Sequence, residues 1–147
     1  MRPQPSVLRQ QLAFLQDAGY ESISLYDLQY ALALGWALPD KPVIFTFDDG
    51  YRGVYKYAFP HMHEFGYTGT IFLLTQFVDE QRPEYLTWEM AREMATVGWH
   101  LEPHGKIHVA LTGLDRDALV YQVLGSMQTI QAHVSDTPRF FSYPSGH

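Results

Sequence analysis

The apolar run Val43-Ile44-Phe45, entered through Pro42, leads straight into Thr46-Phe47-Asp48-Asp49-Gly50. A short apolar run bounded by proline and glycine reads as a buried strand. This run constrains the fold first, because a strand buried on both faces needs helices or further strands around it. It also raises a chemical question. Two adjacent carboxylates at the exit of a buried strand repel each other, and desolvation penalises both. A cation or a catalytic role can hold such a pair, and the alternative is an acidic Asp-Gly turn.

The rest of the chain alternates strand and helix patterns. Ser6 to Asp17 reads as a helix, with Val7, Leu8, Leu12 and Leu15 near helical spacing and Gly19 as its stop. Ile23 marks a short strand, and Ser24 is placed to cap a helix from Tyr26 to Leu34. Strand one is Val43 to Phe47, followed by a helix over Val54 to Phe65. Strand two is Thr70 to Leu74, and Thr87 caps a helix reaching Thr96. Strand three is Trp99 to Leu101. Asp115 to His133 is the longest helical pattern, with Leu119, Val123, Met127 and Ile130 on one face. Strand four is Phe140 to Tyr143. This alternation predicts a parallel sheet with helices outside. The 147 residues suit one domain, 1–147, with 1–41 as a helical lead-in.

Two more segments carry chemistry. In His104-Gly105-Lys106-Ile107-His108 the histidines stand four apart. If the segment coils into one turn, both imidazoles share a face and can grip one metal ion. The segment follows strand three, so both candidate sites sit at strand exits, where functional residues cluster in β/α barrels. Arg139-Phe140-Phe141-Ser142-Tyr143-Pro144-Ser145-Gly146 places a Pro-Ser-Gly turn after strand four. His61-Met62-His63 looks like a metal pair, but neighbours at i and i+2 point apart on a helix.

The order Thr-Phe-Asp-Asp-Gly, His-x3-His and Arg-x-Phe-x-Tyr-Pro-x-Gly resembles the polysaccharide deacetylase family. That family is also called the NodB-homology domain or carbohydrate esterase family 4. The resemblance covers nearly the whole chain, including Phe59-Pro60 and Tyr85-Leu86-Thr87-Trp88. The lead-in, with Gly19-Tyr20 and Leu38-Pro39-Asp40-Lys41-Pro42, is similar to members acting on poly-N-acetylglucosamine and related polymers. The resemblance implies an α/β fold, an incomplete (β/α) barrel of the distorted type with about seven strands. About four parallel core strands with outer helices fall within this chain. The family's later motifs, an acidic one and a Leu-x-His one carrying the general acid, have no counterpart here. The expectation is therefore a fragment of a longer enzyme or a shortened relative. Open strand edges then predict self-association through the open side of the barrel, and little activity in isolation.

Two imidazoles and one carboxylate leave open positions on a divalent ion. A second carboxylate can take a proton from a water bound there. The resemblance assigns the roles: Asp49, His104 and His108 hold one divalent metal, zinc by preference, and Asp48 is the base. It places Arg139 beside that base, and the Ser145 backbone N–H at the developing oxyanion. Tyr51, Trp88, Tyr143 and Pro144 are candidates to line a sugar groove, against plain packing for the aromatic residues. The same metal set fits a non-haem iron oxygenase, but there the close pair is usually His-x-Asp. The competing reading is an inactive carbohydrate-binding or structural half-barrel.

Composition narrows the partners. The formal net charge of −6 gives no basic footprint for nucleic acid. No run approaches the roughly 20 apolar residues of a membrane span. The absence of cysteine excludes disulfides and thiolate metal sites. The opening Met1-Arg2-Pro3-Gln4-Pro5 reads as no signal peptide. The family usually works outside the cytoplasm, so the resemblance implies an extracytoplasmic or cell-envelope location. The partner it implies is an acetylated polysaccharide or oligosaccharide.

Overall fold

A computed structural model describes residues 5–134 and 137–147. Met1–Gln4, part of the expected lead-in, and residues 135–136 lie outside the described residues. Helix α1, Pro5–Asp17, buries Leu12 fully and packs Leu8 and Leu15 on the core. It closes on Gly19 at φ 77°, where the Tyr20 amide reaches back to the Leu15 carbonyl at 2.9 Å. Strand β1 is Glu21–Ser22, and helix α2 is Leu25–Leu34. As expected, Ser24 caps α2. Its hydroxyl accepts from the Asp27 amide, and the Asp27 carboxylate accepts from the Ser24 amide at 2.8 Å.

The expected single strand Val43–Phe47 is divided. Strand β2, Pro42–Val43, pairs in parallel with β1, whereas β3, Thr46–Phe47, pairs in parallel with strand β4, Thr70–Leu73. One extended run thus changes neighbour halfway, as a twisted strand does when it turns from one side of the sheet to the other. Strand β5, His100–Pro103, pairs in parallel with β4, so the larger sheet runs β3-β4-β5. All four residues of β4 are buried, as a central parallel strand requires. Four parallel positions result, namely β1, the 42–47 run, β4 and β5, and they form an incomplete (β/α) barrel without closure.

The helices between these strands differ from the sequence pattern in one recurring way. The expected helix over Val54–Phe65 is a π-helical turn, Val54–Ala58, running into α3, Phe59–Glu64. A short helix α4, Thr75–Asp79, follows β4, where the sequence pattern predicts no helix. Helix α5, Trp88–Thr96, starts at the expected Thr87 cap. The long pattern 115–133 is α6, Arg116–Val120, a π-helical turn, Tyr121–Gly125, and α7, Ser126–His133. The widened turn rotates the buried face. Gln122, Ser126 and Ile130 are buried, while Leu119 is exposed. The hydroxyl of Ser126 donates to the carbonyls of Gln122 and Val123 at 2.6 and 2.9 Å, which occupies acceptors in the widened turn.

The expected fourth strand, Phe140–Tyr143, runs beside β5 without forming a ladder. Only the Ser142 amide reaches a β5 carbonyl, that of Pro103 at 3.2 Å. The amides of Arg139 and Phe140 donate instead to the Glu102 carboxylate at 2.8 and 2.9 Å. A buried side chain has taken the place of strand pairing.

Candidate metal centre

Asp49 follows β3 in a tight turn. Asp49 and Gly50 both have positive φ, 69° and 73°. A Cβ on Gly50 would stand 2.6 Å from Leu73 Cδ2, so glycine lets this turn close over the end of β4 without displacing that buried side chain. The turn carries the Asp49 carboxylate towards the segment after β5. There His104 is buried and His108 is exposed. The expected helical turn across the pair is absent, since residues 104–108 form an irregular bend. The imidazoles still converge, with ring centroids 5.4 Å apart.

The carboxylate oxygen Oδ1 of Asp49 lies 3.5 Å from His104 Nε2 and 3.9 Å from His108 Nε2. The three ligand atoms all fall within 4.8 Å of one another. Bonds of about 2.0–2.2 Å around one tetrahedral ion set neighbouring ligands roughly 3.4 Å apart. The two carboxylate–imidazole distances stand near that spacing, and the two imidazole nitrogens lie within 4.8 Å of each other. Asp49 Oδ1 is also buried and has no hydrogen-bond partner among the described residues. A buried carboxylate oxygen without a donor is costly, and a cation between it and two imidazoles removes that cost. The residues present fit a divalent ion.

The histidine is oriented from behind. His104 Nδ1 lies 2.8 Å from the Ser142 carbonyl, which can only accept. Nδ1 therefore carries a proton, and Nε2 is the nitrogen that faces Asp49 and would be offered to an ion. Ser142 belongs to the third sequence motif, so that motif contributes a backbone atom to ligand orientation. Glu102, two residues before His104, is fully buried. It accepts from the Tyr26 hydroxyl at 2.6 Å as well as from the two amides named above. Burial pushes its carboxyl above the ordinary range, against the lowering effect of those hydrogen bonds.

The other expected residues divide. Asp48 is exposed beside Asp49 and forms no ion pair among the described residues. The structure does not bring Arg139 to it. The Arg139 guanidinium lies 3.3 Å from the Tyr30 hydroxyl and 5.6 Å from the centre of the Tyr26 ring. The backbone bonds to Glu102 anchor Arg139 on this side of the sheet. Ser145 sits at φ 59° in the 3-10 turn Pro144–Gly146, with Pro144 buried and Tyr143 exposed against Phe141. Trp88 donates its indole N–H to Asp79 at 2.9 Å and stacks on His133 at 4.2 Å, which gives it a packing role. His61 and His63 flank the fully buried Met62, so the pair does not converge.

Tyr51 stacks on Tyr85, with centroids 5.0 Å apart. The sequence pattern singles out Tyr51 but not its partner Tyr85, which stands in the Tyr85-Leu86-Thr87-Trp88 segment 34 residues on. Burial first, then the hydrogen bond with Tyr51 and the charge of Asp49, push the Tyr85 phenol up to about 12. The two rings form an aromatic wall next to the metal trio.

This arrangement has relatives. The chain is 28% identical over 135 residues to YxkH of Bacillus subtilis (strain 168), a protein named for polysaccharide deacetylase, and covers 92% of this chain and 48% of that one. It is 32% identical over 108 residues to the poly-beta-1,6-N-acetyl-D-glucosamine N-deacetylase of Escherichia coli (strain K12), covering 65% of this chain and 16% of that one. The solved Streptococcus pyogenes deacetylase PplD, in complex with acetate, superposes with a TM-score of 0.93 at 25% identity, over 97% of this chain and 63% of that one. The chain thus spans at most about half the length of these two sequence relatives. The family model for polysaccharide deacetylase matches residues 37–147, which include both strand exits, all three members of the trio and the Pro144 turn, and with that match the chain belongs to the polysaccharide deacetylase family.

Proposed function

We propose that this chain carries the metal centre of an enzyme that hydrolyses acetyl groups from an N-acetylated polysaccharide. The carrying observation is the buried, donorless Oδ1 of Asp49 facing two imidazole nitrogens. Zinc is the first choice of ion, because it accepts this mixed nitrogen and oxygen set with a position left open. When bound, the ion makes a coordinated water acidic enough to attack an acyl carbon near neutral pH and polarises the acyl oxygen.

The chain's own groups supply the remainder. Asp49, His104 and His108 would hold the ion, with His104 fixed in one tautomer by Ser142. Asp48, exposed beside them, would take the proton of the attacking water. The Ser145 N–H would donate to the oxygen that gains charge as the acyl carbon becomes tetrahedral. Arg139, held by Tyr30 and Glu102, would act at a distance by supporting the 139–146 segment. Tyr51 and Tyr85 offer a flat surface on which a sugar ring can stack, with Tyr143 as a further exposed ring. In the balanced reaction water adds to the acyl carbon, one of its protons ends on the leaving nitrogen as the C–N bond breaks, and acetic acid and a free amine result, which ionise to acetate and ammonium near neutral pH.

The name of the Escherichia coli relative makes poly-β-1,6-N-acetylglucosamine the first polymer to assay, with acetylated xylan as the ester comparison. An extracytoplasmic or envelope location goes with such a substrate. No helix among the described residues is long and apolar enough to cross a membrane. The test is zinc content and acetate release in the full gene product, beside His104→Ala. The variant is expected to lose the metal and the activity together. Equal zinc content in the two proteins would overturn the assignment.

A further inference from the structure

The segment joining His104 to His108 has no regular structure, so its shape depends on where its backbone hydrogen bonds go. The His104 amide donates to the Leu73 carbonyl at the end of β4, at 2.9 Å. The carbonyls of Gly105 and Lys106 accept from the first two amides of α4, those of Thr75 and Gln76, at 3.1 and 2.9 Å. The amides of Lys106 and Ile107 both donate to one side-chain atom, Oε1 of Gln122, at 2.8 and 3.2 Å. Gln122 is 5% exposed and comes from the π-helical turn Tyr121–Gly125.

Gly105 makes this approach feasible. Its φ is +97°, and a Cβ there would stand 3.0 Å from Gln122 Oε1 and 3.1 Å from the Ile107 carbonyl. The glycine after His104 and the glutamine on the helix are therefore matched parts of one device. The Lys106 ammonium adds a second tie to the same helical region, donating to Thr129 Oγ1 at 2.8 Å.

We infer that Gln122 is a positioning residue for the metal: its side-chain carbonyl sets the backbone between His104 and His108 so that both imidazoles reach one ion. This rests on the reading that Asp49, His104 and His108 hold a divalent ion. Without the acceptor, one buried and one half-buried amide lose their partner, and the bend must shift to find another. Each shift moves the His108 ring relative to His104. Removal of such an outer support typically lowers metal affinity about 10- to 100-fold.

The test compares wild type with Gln122→Met, which keeps the length and loses the acceptor, and Gln122→Glu, which keeps an acceptor. Cobalt(II) affinity is read from its visible absorption, and amide exchange at Lys106 and Ile107 is read in the metal-free protein. Gln122→Met is expected to bind cobalt about 10- to 100-fold more weakly, with faster exchange at those two amides. Gln122→Glu is expected to recover most of the affinity. Ser126→Ala, which loosens the same turn without touching the bend, should lower thermal stability and leave cobalt affinity near wild type. Should Gln122→Met not fold, Gly105→Ala separates the bend from the acceptor with Gln122 in place and is held to the same outcome. If wild type binds cobalt no better than His104→Ala, the metal reading fails and this inference with it. If wild type exceeds His104→Ala but Gln122→Met equals wild type, the positioning role alone is refuted.

Discussion

Glu102→Ala should be the most informative single change outside the metal trio. The Glu102 carboxylate receives three hydrogen bonds, from Tyr26, Arg139 and Phe140, at 2.6, 2.8 and 2.9 Å. Alanine leaves all three donors without this acceptor in a part-buried site. Each such loss costs about 1–3 kcal/mol, with the upper range for bonds to a charged group. Relief of the carboxylate's own desolvation offsets part of the sum, so the net expectation is about 3–5 kcal/mol. Glu102→Gln separates shape from charge. Its carbonyl can serve both amides, and its NH2 can donate to the Tyr26 oxygen while the Tyr26 hydroxyl turns to the Thr137 carbonyl, 3.4 Å away. The cost of the glutamine variant should stay within about 1 kcal/mol at neutral pH.

The pH dependence of Glu102 has a definite sign. Its carboxyl is raised in the folded state, so between the unfolded value and the raised folded value the native protein binds more protons. Stability from this group is greatest at low pH and falls as pH rises through that window. The stability difference between wild type and Glu102→Gln should follow the same course. Urea denaturation from pH 4 to 8, followed by tryptophan fluorescence, measures all three proteins. An alanine variant within about 1 kcal/mol of wild type would refute the role given to Glu102. A pH-independent difference between wild type and glutamine would refute the electrostatic part.

Asp48→Asn in the full gene product should abolish turnover and keep most of the metal, whereas Asp49→Asn should lose both. Retained acetate release in Asp48→Asn would remove its assignment as the base. Gly50→Ala should destabilise the protein by about 1–3 kcal/mol, because a Cβ meets Leu73 at 2.6 Å on a backbone with φ +73°. Thermal denaturation checks this, and an unchanged midpoint would show that the turn relaxes freely. The Tyr85 phenol, raised to about 12, should stay protonated when exposed tyrosines have ionised near pH 10–11. Ultraviolet titration against Tyr85→Phe resolves it. Loss of the same absorbance step near pH 10 in the variant would contradict the burial of this ring.

Much of the local structure follows from contacts within a few residues. Ser24 and Asp27 form their cap across three residues, and Thr87 and Asp115 cap their helices over the same span. The apolar runs at 70–74 and 99–101 sit in buried parallel strands, because a buried strand needs apolar neighbours on both faces, whereas the 43–47 run pairs in parallel but is only half-buried, with Thr46 exposed. Asp49 and the two histidines were legible as one centre because strand exits in such a fold point to the same end of the sheet.

Other features depended on distant partners. The helical stripe at 119, 123, 127 and 130 was a local regularity: Ile130 is buried as that stripe predicts, but the π-helical turn also brings Gln122 and Ser126 to buried positions and leaves Leu119 exposed. The fourth apolar run forms no strand because Glu102, 37 residues before Arg139, captures its amides. Arg139 faces Tyr30, across 109 residues of chain, and leaves Asp48 without an ion pair to it. Sequence alone therefore determined the family, the runs that pair as strands and the residue types of the candidate metal centre, since these depend on local pattern. Tertiary structure decided which buried polar atoms meet, because a buried donor or acceptor must find a partner wherever the fold brings one within about 3 Å.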